Sequence, residues 1–476
     1  MSRNAKVQTV PLATKQGYLW PGAMKLAFLC MLSMLVTSVS ADDGVRAAGK
    51  RFSRMDRSRF QIGAYFLKQA DDAHLREVKE CGIDFIYGPN IRDRAVLDRY
   101  AAHGLGVIAQ GPFWMWSGDW KGIRNGKMSK WERFTPADYE AGIRDFLDHG
   151  LDHPALWMLD ITDEPSALDM PYIGDRMREI SSRIPGVPLF CNLYPSYAGV
   201  ADNDTAAEKS QLGAKSFREY IDIYCKTVPL DYISYDFYPY HPVRRRREQL
   251  IPEMFAAYEI VARACRRTNR SFWYVPQVNA QARDGHVEEI TANRLRFQAF
   301  TAMAFGAEVI NWACYSPGWW TNNVLTAAGE KTAQYELLRT VNAELHALGV
   351  SYMKYRNVAT HLVGFPSEIC ECAAMPQEMA LNVVGCRGLR ERDGHALAIG
   401  EMVSRKDGTE PAALFVVAAG DPLDLAPAIR NVTFRLADGC SARVLGPAGE
   451  ISMRMEEGGA CAFELAENAA ALILLD

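Results

Sequence analysis

Two adjacent carboxylates, Asp163 and Glu164, stand directly before Pro165 and close the segment Ala155-Leu-Trp-Met-Leu-Asp160-Ile-Thr-Asp163. A carboxyl beside another carboxylate keeps its proton to higher pH, because like charges resist a second ionisation. Such a pair can give one proton and hold one charge, which is the equipment of acid–base chemistry. A third acid, Asp236, closes Tyr232-Ile-Ser-Tyr235-Asp236 and is followed by Phe-Tyr238-Pro. Asn192 and Tyr194 close a comparable run, as do Gln277 and Asn279, and then Asn311, Trp312 and Tyr315. Structural roles compete for the same residues. Asp163 and Glu164 could cap a helix, Asp236 could accept loop N–H groups, and Gln277 and Asn279 could satisfy polar neighbours. Asp160 is expected inside the fold or behind the site.

Aromatic residues crowd the same regions. Trp114, Trp116, Asp119 and Trp120 share one segment, and Trp319 and Trp320 share another. A tryptophan in an exposed loop is costly unless it covers something flat and partly apolar. A sugar ring presents such a C–H face, and its hydroxyls need carboxylates, amides and tyrosines around them. The set therefore predicts a carbohydrate ligand contacted by Trp114, Trp116 and Trp319 together with the polar and tyrosine side chains named above, Tyr235 and Tyr238 included. Rim packing explains any single tryptophan but fits the whole set less well. No CxxC pair or histidine cluster has zinc-site spacing, so neither a metal nor a cofactor is expected. His241 reads as structural, and Arg244–Arg247 as a solvated charge run entering a helix.

These residues need elements to hold them. From residue 60 the chain alternates a short apolar strand, a polar loop and an amphipathic helix. Strands are predicted at Phe60–Phe66, Ile83–Tyr87, Gly106–Gln110, Ala155–Asp160, Pro188–Asn192, Tyr232–Asp236, Phe272–Val275 and Val309–Trp312. Helix periodicity falls near 71–81, 93–103, 136–149, 170–184, 216–227, 249–267, 291–305 and 331–348. Continuously apolar strands separated by helices make a parallel sheet covered outside. Eight such units predict a closed (β/α)8 barrel over residues 59–350, with chemistry at the carboxyl ends of the strands. No glycine-rich loop follows a strand, which disfavours an open dinucleotide-binding sheet. Pro136 and Asp138 suit a helix start, and Gly150 and Gly349 suit helix ends.

Helix periodicity fades after residue 350. Ala396–Val403 and Ala412–Val417 flank an Asp-Gly turn and predict a hairpin. Further strands are expected at 431–436, 442–445, 451–455, 460–465 and 470–475. Residues 351–476 are read as an antiparallel β-sandwich domain.

Composition narrows the partners. Lys and Arg number 53 against 57 Asp and Glu, a formal charge of −4, so nucleic acid is not the expected ligand. Met24-Lys25, the apolar run Leu26–Val36 and the small residues ending at Ala41 read as a secretory signal peptide. The run is too short for a comfortable membrane span. Residues 1–41 are thus expected to be leader and signal, 42–58 a linker, and the remainder an exported chain, periplasmic or extracellular. Cys191 and Cys314 lie in apolar runs and should be small buried hydrophobes. Cys370, Cys372 and Cys386 could hold a disulfide, whose connectivity the sequence leaves open.

Over residues 55–350 the chain resembles the (β/α)8 glycoside hydrolases that include β-galactosidases and cellulases. That group carries Asn-Glu-Pro at the end of strand 4, its Glu being the general acid/base. Asp163-Glu164-Pro165 matches, and the resemblance makes Glu164 the acid. The aromatic end of strand 6 and Trp312 on strand 8 are also similar. Two departures stand out: Asp163 replaces the Asn, and no acid ends strand 7, where Gln277 stands instead of the nucleophile. Glu288 and Glu289 come too late. An adjacent Asp-Glu also resembles substrate-assisted hexosaminidases, in which Asp163 would hold a 2-acetamido group that acts as nucleophile. Inversion with Asp236 as base, and a barrel that binds sugar without cutting it, are the remaining alternatives.

Overall fold

The computed structural model describes residues 46–47, 50–51, 55–91, 93–116, 136–200, 210–240, 247–279, 282–283, 286–287, 290–317, 321, 323–365, 386–406, 408, 411–420 and 427–475. The segment 1–41 expected to be leader and signal peptide, Asp119, Trp120, His241, Arg244 to Arg246, Glu288, Glu289, Trp319, Trp320, Cys370 and Cys372 lie outside the described residues. For Trp114 and Trp116 only the backbone is described.

Eight parallel strands close into a barrel: β1 (Gln61–Tyr65), β2 (Phe85–Asn90), β3 (Gly106–Trp116), β4 (Leu156–Asp163), β5 (Leu189–Leu193), β6 (Tyr232–Asp236), β7 (Ser271–Val275) and β8 (Ala307–Trp312). β8 pairs with β1 through Asn311 opposite Gly63, which completes the ring. A helix follows each strand: α1 (Asp72–Glu80), α2 (Arg94–Ala102), α3 (Pro136–Asp148), α4 (Met170–Arg183), α5 (Phe217–Thr227), α6 (Arg247–Thr268), α7 (Ala292–Ala304) and α8 (Ala333–Tyr352). Side-chain oxygens of Asp71, Asp93, Ser216, Thr291 and Thr332 accept from first-turn amides of their helices. Those amides have no partner within the helix, so the cap fixes where each helix starts.

The barrel interior is packed with rings rather than open. Trp273 stacks on Tyr232 at 4.5 Å between centroids, Phe190 lies 6.0 Å from Trp273, and Phe85 lies 5.7 Å from Trp157. Gly63 is required here, because a Cβ at that position would stand 2.2 Å from the Phe85 ring. Large side chains thus plug the lower barrel and leave polar residues to its upper layers.

Beyond α8 the chain forms two antiparallel sheets. The strands are β9 (Tyr355–Val363), β10 (Cys386–Glu391), β11 (Leu397–Ser404), β12 (Pro411–Ala418), β13 (Ile429–Leu436), β14 (Ala442–Gly446), β15 (Gly449–Ile451), β16 (Arg454–Met455), β17 (Cys461–Ala466) and β18 (Ala470–Leu475). One sheet runs β9-β11-β12-β18-β14-β15 and the other β10-β13-β17-β16. The expected hairpin is β11–β12. The run 451–455, expected as one strand, is divided between the two sheets. β9 escapes a reading by apolar runs because Arg356, Asn357 and Thr360 interrupt it and most of its residues are only half-buried.

The six-stranded sheet is a middle layer. Leu414 and Val416 of β12 face the smaller sheet, while Phe415 packs 5.2 Å from Tyr352 and 6.4 Å from Phe300, on the barrel helices. Gly400 lets β11 lie against α7, since a Cβ there would come within 2.5 Å of the Ala304 carbonyl. Gly349 is a correction to the expected helix end. It lies inside α8, which runs on to Tyr352, and its lack of a side chain admits Phe60, whose Cβ would stand 2.6 Å from a Cβ at 349.

Candidate active site

Period-two alternation would send Asp160 and Asp163 to opposite faces of β4. Pairing with β5 prevents this. Asp160 stands opposite Phe190, Thr162 opposite Cys191 and Asp163 opposite Asn192, so β4 carries one extra residue between Asp160 and Thr162. Such a bulge re-aims the side chains beyond it. Phe190 and Asn192 both face the barrel interior, through contacts with Trp273 and Asp236 respectively, and Asp163 therefore joins Asp160 inside. Asp160 lies deeper, accepting a 2.7 Å hydrogen bond from the Tyr87 hydroxyl.

Glu164 comes next, with φ of +49°, a left-handed conformation unusual for a residue with a side chain. Its N–H donates to the Asn192 carbonyl at 3.0 Å, and the next carbonyl, of Pro165, accepts from the Tyr220 hydroxyl at 2.8 Å. The turn is thereby held from both sides, and strain of this kind concentrates at functional positions. Neither acid caps a helix. α4 begins only at Met170.

Asn192 organises the mouth. Its amide nitrogen donates to Asp236 Oδ1 at 3.4 Å and its side chain also bonds Asp163, while its own oxygen accepts from Ser234 Oγ at 2.9 Å. Tyr238 adds a hydrogen bond to Asp236. Three carboxyls thus share one partly desolvated space. Burial pushes Asp163 up to about 6, with the Asn192 hydrogen bond pulling the other way. Burial and the neighbouring Asp163 push Asp236 up to about 8. Glu164 is held well above the usual carboxylate range by burial, then by Asp236 and Asp163. Asp163 therefore ionises before Asp236, and burial with the two neighbouring acids favours the protonated form of Glu164. At neutral pH that leaves the charge on Asp163, with Asp236 still holding its proton.

Of the candidate contacts, Asn192, Tyr194 and Tyr238 lie with the acids; Tyr194 is buried and feels Glu164 most among the charged groups near it. Others do not. Tyr235 points outward between the sheet and the helices, 5.8 Å from Phe217, because alternation along β6 sends Tyr232, Ser234 and Asp236 inward instead. Trp312 also faces outward and donates from Nε1 to Asn342 of α8 at 2.8 Å; the interior position of β8 belongs to Asn311. Tyr315 is buried towards Cys81, Tyr335 and Glu77.

Gln277 is a latch rather than a contact. Its Oε1 accepts from the Tyr240 N–H at 2.8 Å, and its Nε2 donates to the Asn279 carbonyl at 2.7 Å. Asn279 accepts from the Cys314 N–H and donates to Asn323. Both amides tie the loop after β7 to its surroundings. Two residues at the mouth escaped the sequence reading. Tyr65 ends β1 and Tyr87 lies midway along β2, both on the inward face, with ring centroids 4.0 Å apart. The signal that finds them is the strand-end rule applied to the first two strands as well as the later ones. Cys191 and Cys314 are buried, and Cys386 is a free thiol. Among the described residues no group of three or more His, Cys, Asp or Glu could hold a metal ion.

No protein-family profile matches the sequence, and no curated protein sequence does. Solved structures do. A catalytic mutant of a GH42 β-galactosidase from G. stearothermophilus is similar over 90% of this chain and 100% of its own, with a TM-score of 0.49 and 9% identity. An endo-β-1,4-mannanase from Thermotoga petrophila is similar over 86% of this chain and 92% of its own, at a TM-score of 0.41 and 10% identity. A β-galactosidase from the haloarchaeon Halorubrum lacusprofundi is similar over 87% and 100%, at 0.43 and 10%.

Proposed function

We propose that the chain is an exported glycoside hydrolase in which Glu164 protonates the departing glycosidic oxygen and Asp163 is the ionised carboxylate beside it. The observation that carries the proposal is the mouth of the barrel, where both residues meet Asp236 and Asn192 and where burial, then Asp236 and Asp163, hold Glu164 well above the usual carboxylate range. A general acid has to be protonated at working pH and a neighbouring base or orienting group has to be charged. This pair meets both needs.

Among the described residues of β7 and the segment just after it, Ser271 to Asn279, none is an acid. Gln277, which follows β7, is engaged on both ends and offers no carboxylate as nucleophile. The 2-acetamido group of an N-acetylated sugar can supply the nucleophile, with Asp163 polarising it. Asp236 is the competing partner. The larger of the two carboxyl influences on Glu164, it would activate water in an inverting reaction once ionised, above about pH 8. Export is inferred from the apolar run 26–36 and the small residues ending at Ala41.

The test is a panel of chromogenic glycosides with and without a 2-acetamido group. Turnover of the N-acetylated members is expected, falling about 10²–10⁴-fold in Glu164→Gln with the melting temperature retained. Unchanged turnover in that variant removes Glu164 from the mechanism. Cleavage confined to plain hexosides transfers the second role to Asp236, and sugar binding without any cleavage makes this a carbohydrate-binding barrel.

A further inference from the structure

Tyr65 ends β1 with its side chain in the barrel mouth, and its buried hydroxyl has no hydrogen-bond partner among the described residues. Buried hydroxyls are nearly always bonded, and one left open is a loss that packing has to offset. The contrast with its neighbour is direct. The Tyr87 ring lies 4.0 Å away and its hydroxyl is committed to Asp160. The groups that face Tyr65 are Asp163 and Asp160 from β4, Asp236 from β6 and Cys314 after β8, with Tyr238 close by. Burial, and then these carboxyls, keep the phenol protonated, so it is available as a donor. Asn311 also has an unbonded buried amide, but it lies one layer deeper, level with Gly63 and the Phe85 ring. Tyr65 is the shallower of the two and stands among the acids.

We propose that Tyr65 is a substrate-binding residue whose O–H donates to a ring hydroxyl of the sugar held between the β4 and β6 carboxylates. The assignment rests on the glycosidase reading above. It explains why no group among the described residues satisfies the hydroxyl: its acceptor arrives with the substrate.

Tyr65→Phe removes the oxygen and keeps the ring against Tyr87. Its melting temperature is expected to equal or exceed that of the parent chain, because no bond within the protein is lost. Its kcat/KM on the best glycoside of the panel is expected to fall about tenfold or more, the worth of one hydrogen bond to substrate. A set of the same glycosides, each lacking one ring hydroxyl, then locates the contact. The parent should lose rate on one of them, and Tyr65→Phe should show no further loss on that one. Parent kinetics in the variant, or undiminished penalties for every missing hydroxyl, overturn the proposal. So does a fall in melting temperature with unchanged kinetics. A parent that cleaves nothing marks failure of the glycosidase reading itself, visible without the variant. Calorimetry with methyl glycosides then decides: weaker binding by Tyr65→Phe supports the contact, and equal or absent binding overturns it.

Discussion

Asp236→Asn should stabilise the protein, and the gain should grow with pH. In the folded chain burial and Asp163 push Asp236 up to about 8, whereas an unfolded aspartate titrates at about 3.9. A carboxyl with a raised folded value contributes its full stability below about pH 4 and loses it as pH rises towards about 8. Between those limits the folded state holds one proton that the unfolded state has released. Stability should then fall by about 1.4 kcal/mol per pH unit from this group alone. From pH 5 to pH 7 that is roughly 3 kcal/mol. With an unfolding entropy of about 2.1 cal/mol/K per residue over some 430 residues, it corresponds to a shift of about 3 °C. Asparagine keeps an oxygen for Asn192 and Tyr238 but carries no titrating proton. Calorimetric melting of both chains at pH 5, 6 and 7 and constant ionic strength is the assay. The variant's advantage should widen by about 3 °C over that span. Parallel melting curves, or a variant that loses ground as pH rises, would refute a shared-proton acid cluster at the mouth.

Three further substitutions probe the placements that alternation and the loops decide. Gln277→Glu removes the donor to the Asn279 carbonyl and should cost about 1–3 kcal/mol by urea melts, with no gain in turnover. Trp312→Phe loses the bond to Asn342; it should lower stability by about 1–2 kcal/mol while leaving KM and kcat intact, since the ring lies outside the barrel. Gly349→Ala places a Cβ 2.6 Å from that of Phe60 and should destabilise by about 1–3 kcal/mol, where a glycine serving as a helix end would show a different dependence on its backbone angle.

The eightfold repeat was legible because each strand is a short apolar run and each helix a periodic one, so the barrel and all its helices could be located from residues 60 to 350. Most strand ends were legible too, and with them the segments carrying Asp163, Glu164, Asp236 and Asn192, although β2, β3 and β4 run on to Asn90, Trp116 and Asp163, past the predicted Tyr87, Gln110 and Asp160. What one-dimensional pattern could not supply was facing. Tyr235 and Asp236 are neighbours in the chain, yet one packs on Phe217 outside and the other meets Asn192 inside. Choosing between them needs the register of β6 in the closed sheet. The bulge in β4 depends on pairing with β5, and without it Asp160 and Asp163 could not both enter the barrel. Residue types and their order along the chain thus determined the architecture and which groups could reach the mouth. Tertiary pairing alone decided which did, because a side chain's direction is fixed by its partners across the sheet and not by its neighbours in sequence.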